Sequence, residues 1–293
     1  MDDRRQDGVL NAITVDVEDW LQSVVDPTLP LTDRFQANTH KVLEALARRN
    51  TRATFFVLGL AAEQAPHLVR QIVAAGHEVQ SHGYGHVLIH RQTRAEFRAD
   101  VERSRKLLED ISGQAVFGYR APGFSITART LWALDVLVES GFRYDSSIFP
   151  VRMPRYGIAG APYYPHRLRT PGGAEIIELP VASWRVGWRR VPTGGGGYFR
   201  LWPYCVLRRG VRELNRAGYP AVVYMHPYEY SAAEIGQLGR PISWRTRLHQ
   251  GPGRHGFPRK VDRLLGEFRF GMLREVIASA TDWAAHGHRF PVR

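Results

Sequence analysis

Short β-rich runs alternate with amphipathic helical stretches through the first half of this chain, and that alternation limits its fold more than any other feature. Ala12 to Val17 and Ala53 to Leu58 are apolar, β-rich runs. Between them Phe35, Val42, Leu43 and Leu46 approximate a helical stripe. Gly76 is a helix stop for the segment around Leu68, Ile72 and Val73, and Glu78 to Ser81 follows as the next strand. Thr93 with Glu96 forms a capping-box pattern. Phe97, Val101, Ser104, Leu108 and Ile111 then keep helical spacing until Gly113 ends it. Val116 to Tyr119 reads as a strand and Leu131 to Val138 as a helix closed by Gly141, with later strands at Glu175 to Leu179 and Ala221 to Met225. Strand–helix alternation over this length predicts an α/β fold whose parallel sheet, of about seven strands, closes or nearly closes into a distorted (β/α) barrel.

At 293 residues and 44% hydrophobic, the chain can bury a substantial core as one such unit. Residues 150 to 215 are rich in Gly, Pro and aromatics and are expected to form long loops over one face. The tail from about Ser231 is Arg-rich and partly helical (Val261, Leu264, Leu265, Phe268). The expected organisation is therefore a unit over 1–230 and an extension over 231–293 packed on it. The longest apolar run, Ala53 to Ala62, is about half of a bilayer span, so no integral membrane segment is expected. The start carries no cationic-then-apolar leader, and the single cysteine, Cys205, fits a reducing compartment. Both features lead to a cytoplasmic expectation.

A net charge of +12 raises the question of nucleic acid. Only three lysines occur (Lys41, Lys106, Lys260), and the arginines are spread along the chain without a long basic stripe. Nucleic acid is therefore not the expected partner, while affinity for an acidic polymer stays open.

In a barrel of parallel strands, functional groups gather at the strands' C-terminal ends. The first strand here runs into Asp16-Val17-Glu18-Asp19, and the third into His82-Gly83-Tyr84-Gly85-His86. The fourth runs into Arg120-Ala121-Pro122-Gly123, and the late strand Val222 to Met225 into His226-Pro227. Gly83 and Gly85 disfavour a helix through the two histidines and favour a loop leaving a strand. His86 and His90 share the same spacing, so His90 is an alternative to His82. Two imidazoles and a carboxylate on one rim are the inventory for a metal with three protein ligands and an open position. Any one of these motifs alone has an ordinary surface or strand-end explanation. Their joint placement at consecutive strand ends is the signal.

The chain resembles the polysaccharide deacetylases of the NodB-homology type, carbohydrate esterase family 4, and within them the subfamily found beside exosortase-type exopolysaccharide gene clusters. The resemblance rests on Thr14 to Trp20, Ser81 to His86, Tyr119 to Phe124, Tyr144 to Pro150, Gly194 to Arg200 and Tyr224 to Glu229, six stretches in the family's order. It implies a NodB-type catalytic domain over 1–230 that removes N-acetyl groups from the amino sugars of a polysaccharide, an exopolysaccharide first. It implies a divalent metal, zinc with cobalt as the alternative, on His82, His86 and a carboxylate. Asp16 corresponds to the general base, Arg120 to its partner and His226 to the general acid. The family's usual paired aspartates are here Asp16, Glu18 and Asp19. Asp19 is the preferred ligand because a bulky residue follows it, and Glu18 is the alternative. Asp145 and Glu229 are the candidates for orienting His226.

Tyr198, Trp184 and Pro122 are the expected sugar contacts, with the glycines of Gly194 to Gly197 letting a polymer approach the backbone. Two other functions compete with polymer deacetylation: hydrolysis of a small amide or cyclic ureide, and non-catalytic carbohydrate binding. The expected place of action is the cytoplasm, at the inner-membrane machinery that assembles the polymer.

Overall fold

A computed structural model of the chain describes residues 8–153, 156–236, 242–279 and 287–288. The strands are β1 (Asn11–Val17), β2 (Thr54–Val57), β3 (Glu78–Ser81), β4 (Gly118–Tyr119), β5 (Tyr144–Asp145), β6 (His166–Arg169), β7 (Glu175–Glu178), β8 (Ser183–Val186), β9 (Arg189–Pro192), β10 (Val222–Met225), β11 (Phe270–Gly271) and β12 (Gly287–His288). In the order β10-β1-β2-β3-β4-β5-β7, seven of them pair in parallel. A parallel bridge from Val181, just past β7, to Val222 of β10 brings the two ends of that sheet together. The expected barrel is thus a curled parallel sheet that closes through one bridge. β6 extends it antiparallel to β7, with β12 beside β6.

Every residue of β1, β2 and β3 is buried, as parallel strands covered on both faces must be. The helices α1 (Arg34–Arg48), α2 (Gly59–Gln64), α3 (Pro66–Ala74), α4 (Arg94–Ser112) and α5 (Trp132–Glu139) follow the first four strands. α4 starts where the sequence indicates: Thr93 Oγ1 accepts the Glu96 N–H while Glu96 accepts the Thr93 N–H. It ends at Gly113 in the left-handed region, φ +66°. Phe97, Val101, Ser104 and Leu108 form its buried stripe. Truncating Leu108 to alanine would cost about 2–5 kcal/mol in lost transfer energy and residual cavity.

Residues 150–215 differ from the loops expected of them. Besides β6 and β7 they form the antiparallel hairpin β8–β9 and the helices α6 (Gly196–Leu201) and α7 (Tyr204–Arg216). α7 buries Leu207, Gly210, Val211 and Leu214. That stripe has helical spacing, but a glycine occupies one of its positions because Thr193 packs there. The tail contributes α8 (Trp244–Gln250), α9 (Phe257–Glu267), β11 and α10 (Leu273–Ala278). β11 pairs with the start of β1, α9 buries Val261, Leu264 and Leu265, and α10 packs on β1. Residues 257–278 therefore share the sheet's core. Among the described residues, no helix is long and apolar enough to cross a membrane.

Candidate active site

Side chains two apart on a strand share a face, and β1 uses that period to build one wall of a site. Thr14, Asp16 and Glu18 are in phase, and all three are buried. Arg120, at the end of β4 and fully buried, donates through Nη1 to Asp16 Oδ1 at 2.8 Å and to Thr14 Oγ1 at 2.6 Å. Its Nε and Nη2 donate to the Ser146 carbonyl (3.0 Å) and hydroxyl (2.7 Å) beyond β5. The guanidinium is thus held from four directions and cannot swing away from Asp16.

Glu18, one period further on, meets three imidazoles. Its Oε2 lies 2.7 Å from His86 Nε2 and 3.5 Å from His82 Nε2, and its Oε1 lies 3.5 Å from His226 Nε2. Burial opposes its charge, but His86, His226 and His82 together hold the Glu18 carboxyl well below the usual range. Donor atoms of Glu18, His82 and His86 all lie within 4.8 Å of one another. The carboxylate beside the histidines is therefore Glu18 and not Asp19, the residue expected there. Asp19 falls out of phase and is occupied elsewhere. Its Oδ1 accepts the Leu21 and Gln22 N–H groups, at 2.8 and 3.3 Å, and its Oδ2 accepts the Thr32 N–H and hydroxyl, at 3.0 and 2.6 Å.

The histidine loop is held by α4. Asp100 accepts the Tyr84 N–H at 3.0 Å and the Gly85 N–H at 3.2 Å, and Ser104 donates to the Gly83 carbonyl at 3.0 Å. Gly83 takes φ +77°, with Asp100 packed where a Cβ would stand. His86 itself sits in the left-handed region at φ +58°, an uncommon conformation for a side-chain-bearing residue. His82 Nδ1 lies 2.8 Å from the Arg120 carbonyl, which can only accept, so Nδ1 carries a proton and Nε2 is the ring nitrogen left to face Glu18. His90 lies apart from this cluster, exposed in the turn Ile89–Arg91.

His226 ends β10. Glu229 Oε2 lies 3.3 Å from its Nδ1 and accepts its backbone N–H at 3.0 Å, while Arg200 Nε donates to Glu229 Oε1 at 2.9 Å. Tyr228 stacks on the imidazole at 4.8 Å and donates to Glu18 Oε1 at 3.3 Å. Burial works against the imidazolium, yet Glu18, Glu229 and Asp16 outweigh it and push His226 up to about 9. Of the two acids considered for orienting this histidine, Glu229 is the one that reaches it. Asp145 instead accepts from Ser147 and faces Glu178 across β5–β7.

The expected sugar contacts divide. Pro122 lies buried against the histidine loop, beside Gly83. Tyr198 is half-buried, its hydroxyl 2.9 Å from that of Tyr156. Tyr156 in turn lines a groove of about 1380 Å³ that His86 also borders. Trp184 is elsewhere, on β8 with Arg209 of α7 over its ring. The glycine run meets protein rather than polymer: a Cβ on Gly195 or Gly196 would collide with Tyr224 of β10. Sequence reasoning missed Arg200, Asp100 and Ser104 as supports. Arg200 stands in one of the quoted motifs, Ser104 lies in the predicted stripe of α4 and Asp100 beside it, but their targets lie on other elements.

Comparison with known proteins agrees with this geometry. Residues 19–144 match the polysaccharide deacetylase family, and residues 146–278 match a domain of unknown function, DUF3473. A peptidoglycan-N-acetylglucosamine deacetylase of Bacillus cereus is 33% identical over 98 residues, 33% of this chain and 36% of that protein. A chitooligosaccharide deacetylase of Sinorhizobium fredii is 36% identical over 156 residues, 51% of this chain and 62% of that protein. The chain thus spans between about a third and two thirds of the length of these relatives. In fold it matches a Mycobacterium smegmatis structure assigned as a polysaccharide deacetylase, with a TM-score of 0.63 at 21% identity, covering 93% of this chain and 91% of that one. The match to a polysaccharide deacetylase domain, the NodB-type domain of carbohydrate esterase family 4, thus holds over residues 19–144.

Proposed function

We propose that this protein is a metal-dependent deacetylase that hydrolyses the N-acetyl groups of amino sugars in a polysaccharide, an exopolysaccharide being the expected class. The observation that carries the reading is the convergence of Glu18, His82 and His86 next to Asp16 and His226 on one rim. One carboxylate and two neutral-capable imidazoles, one of them fixed in tautomer by a backbone carbonyl, suit a divalent ion, zinc first and cobalt as the alternative. Such an ion supplies Lewis acidity and makes a bound water a nucleophile at neutral pH.

The chain's own groups supply the proton transfers. Asp16 takes the proton of the attacking water, and Arg120, Thr14 and Ser146 fix the direction from which it does so. His226 gives a proton to the departing amine, its Nδ1 side anchored by Glu229 and Arg200. A dication beside Glu18 would cancel much of that carboxylate's pull on His226, leaving Glu229 and Asp16 to hold the proton. Pro122 and Tyr198 would border the substrate, and we read 1–230 as the catalytic unit with 231–293 as an extension packed on it.

The test is metal content by plasma mass spectrometry alongside acetate release from N-acetylglucosamine oligomers. Wild-type protein should bind one equivalent and release acetate; Glu18→Gln should lose at least tenfold in metal affinity and release none at the same metal concentration. Full metal occupancy and turnover in Glu18→Gln would refute the ligand set.

A further inference from the structure

The groove bordered by His86 and Tyr156 also carries Arg91 and Arg129, both exposed. Among the described residues, none that lines it is Asp or Glu. Several arginines elsewhere on the surface are matched by acids: Arg49 by Asp262, Arg98 by Glu139, Arg105 by Glu109 and Arg208 by Glu267. Arg91 and Arg129 are not, for among the described residues neither side chain has a hydrogen bond or ion pair. The nearest acid in sequence, Glu96, is turned back onto Thr93 as the cap of α4. Arg94 adds a third guanidinium at the edge, over the ring of Trp132, which lines the same wall. An uncompensated pair of cations in an acid-free groove raises the local concentration of anionic ligands and orients them.

We propose that this groove selects an acidic polysaccharide, Arg91 and Arg129 pairing with carboxylates on sugars adjacent to the N-acetylated residue presented at His86. Half-exposed Thr127 and Gln92 in the lining carry polar atoms that suit sugar hydroxyls, whereas Ser125 and Thr130 are buried and already hydrogen-bonded within the protein. The inference rests on the deacetylase reading for what happens at the rim, but its test does not. Guanidinium geometry matches a carboxylate in two parallel hydrogen bonds. Each exposed pair of this kind contributes up to about fivefold in affinity and is weakened by salt.

Fluorescence anisotropy with two labelled oligosaccharides of equal length measures the selection directly. One is an N-acetylglucosamine oligomer, the other alternates N-acetylglucosamine with glucuronic acid. At low salt the acidic oligomer should bind about tenfold or more tightly than the neutral one, with the ratio shrinking as salt rises. Arg91→Gln with Arg129→Gln should bring the ratio close to one, and the double lysine variant should retain part of it. Equal affinities in the wild type, or an unchanged ratio in the glutamine variant, would overturn the proposal. So would an oligonucleotide of equal charge that competes as well as the acidic sugar, because the groove would then be an unselective polyanion surface. His82→Ala, measured for acetate release in parallel, separates the two readings. Loss of release with the acidic preference intact supports both. Release undiminished in that variant defeats the metal-site reading while leaving the groove result to stand or fall alone.

Discussion

Two groups of buried acids flank Arg120, and they solve the same electrostatic problem in opposite ways. On one side Asp16 and Glu18 are surrounded by cations or imidazoles, Arg120 for the first and His82, His86 and His226 for the second. On the other side Asp145 and Glu178, register partners across β5–β7, are each fully buried with another acid as neighbour. Burial pushes Asp145 up to about 6 against the pull of its hydrogen bonds and of Arg120. Burial and the Asp145 charge push Glu178 up well above the usual carboxylate range. The first cluster has the make-up that the proposed proton transfer and cation binding need, while in the second burial favours the protonated form. Burial depth is the same in both, so the partners decide which acid does chemistry.

The comparison can be broken by removing its parts, beginning with the largest effect. His226→Ala should cut acetate release about 10²–10⁴-fold in a protein that still folds. Wild-type turnover in that variant would remove His226 from the proton path. Arg120→Met strikes the group shared by both clusters. It leaves Asp16 buried without its cation and should cost about 3–5 kcal/mol in urea unfolding, together with all activity.

Glu178→Gln sharpens the contrast through pH. A carboxyl whose folded pKa is raised contributes stability below its unfolded pKa and loses it as pH rises through the folded value. For Asp145 that window runs from about 4 to about 6. Glutamine keeps an oxygen for the Ile148 N–H, which Glu178 accepts at 3.0 Å, and offers an N–H toward Asp145. Because Glu178 itself no longer titrates, the stability lost as pH rises above the usual carboxylate range should shrink, while the Asp145 window, which burial sets, remains. An identical pH slope in mutant and wild type would mean the two acids do not share a proton. The smallest effect separates Glu18 from its sequence neighbour. Asp19→Asn should lower stability by about 1–2 kcal/mol through weakened capping of the turn at Leu21, with metal content unaltered.

Much of this architecture is legible without coordinates. Glu78–Ser81 matches its observed strand, α4 begins and ends at the predicted cap residues, and seven parallel strands form the main sheet. These signals are local: hydrophobic period, capping chemistry and glycine stops act within a few residues of themselves. Within residues 150–215 the sequence predicts the strand at Glu175 to Leu179 but not β6, β8 or β9, which are four residues each with Gly and Pro nearby, too short to display a period.

The sequence by itself determined which strand ends carry Asp16, His82, Arg120 and His226, since an alternating α/β chain sends consecutive strand ends to one rim. The period of two along β1 would also have favoured Glu18, in phase with Thr14 and Asp16, over Asp19. Only the tertiary structure decided that Glu18 meets three imidazoles while Asp19 ties down a turn, and that Glu229, braced by Arg200, is the acid behind His226. The three imidazoles that meet Glu18 lie 64, 68 and 208 positions from it in sequence. No local pattern encodes that distance, and the packed sheet sets it.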